Sequence, residues 1–510
     1  MRKPSRVVYF EAPIAMTDRP TVASESVTPG RLRGESGRLL YDSLVYGAVR
    51  YLGLFSGILL TPVYTRLLTK ADYGLIEVFV TWNTLVSMVI PLGLPTALQR
   101  FYPEVANQGT RKRELLGTLH LMTLVAAGVY ALLLSPLRGV FLDAFNVSSA
   151  PLEVFYLSIA VAVLTSCFGI LQSLHQAAAS KYQFAGLSVL NFGVATSLGF
   201  VLVYSFHQGV VGFFRASVVA LVLTMGVGLF VSKDALTLAF EPSVARRLLK
   251  YSLPFVWVFL VFQSANVLDR FLITRFLSLS DAGVFSVANK VAGVVALAIS
   301  SFAVAWFPYA MRAKTEADAR ELYAGVFSWY VAAAAILVNG ICIFRGEIIR
   351  VVAPGYGAAY GSIAILCLYY VVAGSVSILT IGLHIAERTR HIAGAALGSV
   401  TTNVIASVCL VQVMGLEGVA IGSLVGSVVW IVLQVRRAQG LYRIPFSYGF
   451  CLWASAVTVA VAYGGSYVDM WLGPVETAAR IAIKGSVFMV VLAVMFYGCR
   501  ERMSHFLRNA

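Results

Sequence analysis

Seven ionisable side chains fall inside long apolar runs of this chain: Arg50, Glu77, Arg215, Asp269, Arg270, Lys290 and Lys484. A charge near the centre of a bilayer costs about 2.5–3.5 kcal/mol on insertion scales, so such residues face a wet cavity or a partner of opposite sign. Five of the seven are bases and two are acids, a balance suited to holding an anion. Arg215 and Lys484 lie near the ends of their runs, where a long side chain can snorkel to the surface. Asp269 and Arg270 are sequence neighbours, and successive helix positions diverge by about 100°, so the two cannot pair along one face. Glu77 and Asp269 are then candidates for carrying a coupling ion or for pairing with bases on other helices.

No residue pattern points to bond-making chemistry. The six histidines (His120, His175, His207, His384, His391 and His505) form no HExxH or paired-ligand spacing. The six cysteines sit in or at the ends of apolar runs without a CxxC pair, as small buried hydrophobes do. A phosphate-binding glycine loop is also missing. No catalytic residue, metal site or cofactor is expected, and a proton or sodium gradient, or substrate supply, would have to drive any transport.

These charges need elements to hold them. The chain has 510 residues, of which 59% are hydrophobic and 12% charged, with a mean hydropathy of +0.81. Soluble domains carry about 25% charged residues. Runs of about 20 apolar residues, each able to cross roughly 30 Å of hydrocarbon, recur from residue 43 to residue 499. The expected fold is an all-α polytopic membrane protein with helices near 43–67, 73–98, 115–135, 152–174, 184–206, 209–231, 251–276, 282–309, 323–344, 361–384, 391–413, 417–435, 447–467 and 478–499.

Basic residues set topology far more than acids do. With the amino terminus inside, the inner loops hold 17 Lys and Arg and the outer loops 7, so both termini are expected in the cytoplasm. The net charge of +15 is spread over short loops rather than gathered on one face, which argues against nucleic acid as a partner. Residues 1–42 are polar and basic with no apolar core; a disordered cytoplasmic tail is expected there, not a cleaved signal.

A shift of 209 residues superposes "ADYGL" at 71–75 on "SDAGV" at 280–284, Gly209-Val210 on Gly418-Val419, and Lys181 on Arg390. Two parallel six-helix lobes are expected, residues 43–231 and 232–435, followed by helices 13 and 14 and a short tail over 436–510. Transporters built from repeats carry substrate between the halves. Pro62, Pro91, Pro254 and Pro308 predict bends in spans 1, 2, 7 and 8, the four that would face one another between lobes. Gly418, Gly422 and Gly426 predict close packing of span 12. Arg50, Arg270 and Lys290 fall on the interface spans, and Arg270 and Lys290 share a depth in the outer half. Such a cationic path suits an anion crossing the membrane. Arg100, at the inner end of span 2, is either a first contact or an orientation anchor.

The stretch "DYGLIEVFVTWNTLVSMVIPLGLPTALQRFYPE" at 72–104 resembles the second helix of bacterial polysaccharide (O-antigen type) flippases. "LDRFLITRFLSLSDAGVFSVANKV" at 268–291 resembles their helix 7–8 passage, and "VAPGYGAAY" at 352–360 their outer loop before helix 10. These flippases belong to the multidrug/oligosaccharidyl-lipid/polysaccharide exporter superfamily, so the resemblance implies a MATE-like fold of two six-helix lobes, with two further helices. It also implies transfer of a polyprenyl-diphosphate-linked oligosaccharide to the outer leaflet of the bacterial cytoplasmic membrane, with membrane lipids and other polysaccharide-assembly proteins as neighbours. Arg270, Lys290 and Arg100 match the family stretches as contacts to the diphosphate, while Arg50 rests on helix position only. A peptidoglycan-precursor flippase and a MATE-type drug–cation antiporter are the alternatives on the same fold. An antiporter for cationic drugs would want more buried acids than Glu77 and Asp269. A sugar polymerase or glycosyltransferase would want a large charged outer loop, and the longest, 136–151, offers only Arg138 and Asp143.

Overall fold

The computed structural model describes residues 57–233, 237, 239–315, 318–386, 390–471 and 477–509; the amino-terminal tail and Arg50 lie outside these. Every regular element among the described residues is helical. Thirteen helices there are long and apolar enough to cross a membrane, and residues 57–67 form the end of the first predicted span. That segment is α1. The others are α2 (Lys70–Val105), α3 (Gly109–Leu134), α4 (Leu152–Ala177), α5 (Lys181–Ser205), α6 (Gly209–Val231), α7 (Pro242–Phe276), α8 (Leu279–Ala313), α9 (Ala319–Val352) and α10 (Gly357–Ile385). They continue with α11 (Arg390–Met414), α12 (Leu416–Leu441), α13 (Tyr448–Trp471) and α14 (Thr477–Asn509). Each of the fourteen overlaps a predicted span, although α2, α7, α9 and α14 run well past the predicted ends. The side richer in loop cations is called here the basic face, and the opposite side the far face.

The two halves begin their second helices in the same way. At α2, the Thr69 hydroxyl accepts from the Asp72 backbone N–H at 3.1 Å and donates to its carboxylate at 2.7 Å. At α8, the Ser278 hydroxyl makes the same pair of bonds to Asp281, at 3.1 and 2.6 Å. Each cap satisfies an amide that a helix start leaves bare and sets an acid against the positive end of the helix dipole. One turn on, Gly74 and Gly283 lie in contact, and a Cβ on either would strike the backbone of the opposite helix, at Leu279 and Lys70 respectively. The acid-x-Gly step of the repeat is therefore the crossing point of α2 and α8.

Proline breaks α2 most strongly. The helix is interrupted after Val89, with Leu92 and Gly93 at φ of 52° and 70°, and resumes at Leu94. Pro254 and Pro308 lie inside α7 and α8. α7 passes from one lobe to the other. Its basic half packs Leu248 into a core with Leu94, Leu98, Leu116 and Leu174. Toward its far end, Asp269 meets α12. The glycine stripe of α12 lies against α11, at Leu410, Ser407 and Asn403. α13 and α14 pack on α9.

Among the described residues, one apolar cluster joins both lobes in the far half, from Tyr73, Phe79 and Phe155 to Phe285, Ile363 and Val419. In the basic half the lobes bury separate clusters, one around Leu98 and Leu119 and one around Trp306, Tyr323 and Phe446. Further bonds tie the lobes at the far face: Thr65 donates to the Val352 carbonyl at 2.9 Å, Arg66 to Val351 at 2.6 Å, and Asn146 to Thr274 at 3.2 Å. This is a bundle closed at its far end.

Candidate functional site

The charged site lies at that closed end, where α2, α7 and α8 meet. Lys290 extends from α8 so that its Nζ donates to Glu77 Oε1 at 2.6 Å and to the Tyr73 hydroxyl at 2.7 Å, both on α2. The ammonium also lies 5.0 Å from the centre of the Tyr73 ring. Arg270, on α7, is 6% exposed. Its guanidinium lies 5.2 Å from the Phe285 ring centre on α8, and its buried Nε has no hydrogen-bond partner among the described residues. Its charge acts on Glu77. Tyr370, from α10, donates to Asn289 at 2.8 Å beside this group. At about 1.5 Å per residue, Glu77, Arg270 and Lys290 lie about 9–17 Å inside the far ends of their helices, all in the far half of the bundle.

A buried guanidinium without an acid partner among the described residues thus stands near a partly buried ammonium that already holds the one carboxylate. A cation taken from water without full compensation carries a desolvation penalty, and an arriving anion relieves it. With two cations to one carboxylate, the group has the charge balance for an anion rather than a cation.

Asp269 faces away from this group, as the 100° divergence from Arg270 requires. Its Oδ2 accepts from the Ser423 hydroxyl at 3.0 Å on α12, and Asn403 of α11 lies beside it. Oδ1 is buried with no partner among the described residues. Ser407, bonded to Asn403 Oδ1 at 2.9 Å, completes a neutral polar lining.

Arg100 is not brought to the site. It lies exposed at the basic face, bonded at 2.6 Å to Glu104 one turn along its own helix. Glu104 also holds Arg247 of α7 at 2.9 Å, and Arg247 covers the Phe101 ring at 4.3 Å. Arg100 therefore stands beside a tie between α2 and α7. Arg215 is half exposed at the far face and paired with Glu153 at 2.6 Å.

The snorkelling expectation for Lys484 is corrected. Its side chain is 1% exposed, with Nζ 2.7 Å from Glu347. The cause is the length of α9, which runs to Val352 rather than stopping at 344. It thereby carries Arg345 and Glu347 into the bundle, where Arg480 is also buried. The charges of "FRGEIIR" end the apolar run, but their pairing partners lie on α14, more than 130 residues on, so the run alone could not reveal them. Glu347→Gln should cost about 3–5 kcal/mol, as removal of one partner from a buried pair does. The check is the thermal unfolding midpoint of the purified protein in detergent, with transport by the folded fraction unaltered.

The structure pairs Glu77, a candidate ion-pair residue in the sequence, with Lys290 and adds Tyr73, which the sequence did not single out. Tyr73 and Glu77 reach Lys290 across more than 200 residues. Tyr73 stands one position after the helix-capping Asp72, where its aromatic hydroxyl was the only signal available. Ser423 lies within the glycine-striped span, next to Gly422, and nothing local marks it as a partner of Asp269.

The chain resembles solved membrane transporters along most of its length. A structure of lipid II flippase MurJ in an inward closed conformation matches with a TM-score of 0.67 at 14% identity, covering 91% of this chain and 100% of that one. An inward-facing multidrug resistance MATE family transporter of the MOP superfamily matches with a TM-score of 0.58 at 15% identity, covering 82% and 95%. At such identities the likeness is one of fold. No curated protein matches the chain in sequence. The family profile described as polysaccharide biosynthesis protein matches residues 39–314. With that match over more than half its length, the chain belongs to the polysaccharide biosynthesis protein family.

Proposed function

We propose that this protein is a flippase for an oligosaccharide joined to a polyprenyl carrier by a diphosphate. It loads the lipid from the basic face, taken as the cytoplasmic side of a bacterial inner membrane with both termini inside. It releases the lipid at the far leaflet by rocking one lobe against the other, without covalent chemistry. The observation that carries this reading is the pair Arg270 and Lys290, one buried and one partly buried cation at the closed end of the lobe interface with one carboxylate, Glu77, bonded to Lys290. Arginine and lysine hold phosphate oxygens through charge-assisted hydrogen bonds. An apolar cavity of about 500 Å³ between α8 and α9, lined by Ile299, Phe302, Trp329 and Leu337 among others, favours a lipid over a free nucleotide sugar. The positive balance of the site disfavours a cationic drug.

Asp269 is the residue best suited to couple transport to a cation gradient. It is a buried carboxylate with one free oxygen in a neutral polar lining that includes Ser423, whereas Glu77 is already matched by Lys290. A proton or a sodium ion would neutralise it there.

The test is translocation in reconstituted vesicles. A fluorescent prenyl-diphosphate oligosaccharide should move between leaflets at a rate that depends on the protein, and a peptide-bearing peptidoglycan precursor should move at least tenfold more slowly. A preference for the precursor would replace the polysaccharide reading by the peptidoglycan one. Movement of a cationic dye alone would replace it by drug export. In the same vesicles, Asp269→Asn should flatten the dependence of rate on an imposed proton or sodium gradient. Retained gradient dependence in that variant would move the coupling elsewhere.

A further inference from the structure

We infer that Glu77 is an internal occupant of the anion site: its carboxylate holds the place on Lys290 that one phosphate of the substrate takes, and its displacement frees α2 from α8. The inference rests on the reading of Arg270 and Lys290 as diphosphate contacts. It adds a residue that sets which anion can work the transporter.

The geometry divides the site into a vacant half and a filled half. Arg270 is 6% exposed, has five donor N–H groups and makes no hydrogen bond to any described residue; its buried Nε is without a partner. Lys290 is filled, with Glu77 at 2.6 Å and Tyr73 at 2.7 Å occupying two of its three donors. An anion with a single phosphate can dock on Arg270 and leave the Glu77–Lys290 pair in place. A diphosphate reaches further. Its first phosphate takes Arg270, and its second competes with a single carboxylate for Lys290 while carrying more charge than that carboxylate.

The position of the pair makes this competition a mechanical event. Glu77 lies less than one turn deeper than Gly74, and Lys290 about two turns deeper than Gly283, the two glycines at which α2 and α8 cross. α2 belongs to the first lobe and α8 to the second, and this is the ion pair between them among the described residues. When a phosphate takes Lys290, Glu77 is left as a buried carboxylate without its cation. Such a group is expensive to keep from water, and α2 and α8 must part to let water reach it. A ligand that cannot displace Glu77 leaves the far end shut. Glu77 therefore selects for a diphosphate over a monophosphate, and converts that selection into opening.

The experiment measures binding of farnesyl diphosphate and farnesyl monophosphate to the full-length protein in nanodiscs. Glu77→Gln removes the competitor and should bind the diphosphate about tenfold more tightly than the parent, the size of effect expected when a charge-assisted contact no longer competes. It should also narrow the preference for diphosphate over monophosphate. Glu77→Asp keeps the charge on a shorter arm and should fall between the two, which supplies a second reading if the Gln variant folds poorly. Unchanged or weaker diphosphate binding in folded Glu77→Gln, or in Glu77→Asp where that alone folds, overturns the displacement proposal. If instead the parent binds no diphosphate, or binds it equally well with Arg270→Ala, the diphosphate reading of the site itself fails.

Discussion

Arg270→Ala should slow flipping of a prenyl-diphosphate oligosaccharide by about 10- to 100-fold, the loss expected when a charge-assisted hydrogen bond worth about 1.5–3 kcal/mol is removed. In cells the result is loss of surface polysaccharide with the protein still present in the membrane. The side chain can be removed without leaving a broken ion pair, because Arg270 has no carboxylate partner among the described residues and its guanidinium lies over the Phe285 ring. Stability should therefore hold while transport falls, and a thermal melt run beside the flipping assay separates the two. Arg270→Lys keeps the charge but loses the planar fork that grips two oxygens at once, so it should recover only part of the rate. Parental flipping in Arg270→Ala would remove the residue from the substrate path.

Gly74→Leu should have the second large effect, by a different route. A Cβ on Gly74 would meet the backbone of α8 at Leu279, and backbone atoms cannot rotate aside as a side chain can. The α2–α8 crossing would have to open, holding the far end apart. In a background without the native cysteines, a thiol at the buried position of Ser286 should stay protected in the parent. It should react with a membrane-impermeant reagent from the far side in the Gly74→Leu variant. Export should fall with it, since a bundle fixed in one state cannot alternate. Gly57→Ala is the matched control: among the described residues a Cβ there meets only the Lys290 Cε, at an ordinary 3.9 Å, and should change neither labelling nor export. Equal labelling of parent and Gly74→Leu would mean that this crossing is not the closure.

Much of this molecule is legible in one sequence because a membrane imposes strong local rules. Each crossing needs a long apolar run with its backbone bonds satisfied internally, so every observed helix overlaps a predicted span even where its ends differ. The repeat at an offset of 209 was readable for a similar reason. Capping acids are demanded by local geometry, whereas the glycines beside them are demanded by the crossing itself, and the Asp72-x-Gly74 and Asp281-x-Gly283 steps prove to be its two sides. The glycine stripe of α12 likewise gave its packing role from spacing alone. Where α9 ends was misread, because charged residues within a buried helix look like a loop until their partners are known.

What the sequence by itself determined was the set of helices, the bias of basic residues to one side, and the depth of Arg270 and Lys290. Depth follows from counting residues at a fixed rise along a helix. The tertiary structure alone decided which charges meet: that Lys290 is held by Glu77 and Tyr73, that Asp269 turns toward Ser423, and that Lys484 is buried on Glu347 rather than at the surface. Those outcomes depend on how each helix is rotated about its axis and on which helix packs beside it. Rotation is set by the sum of many weak contacts across the bundle, and no local stretch of the chain contains that sum.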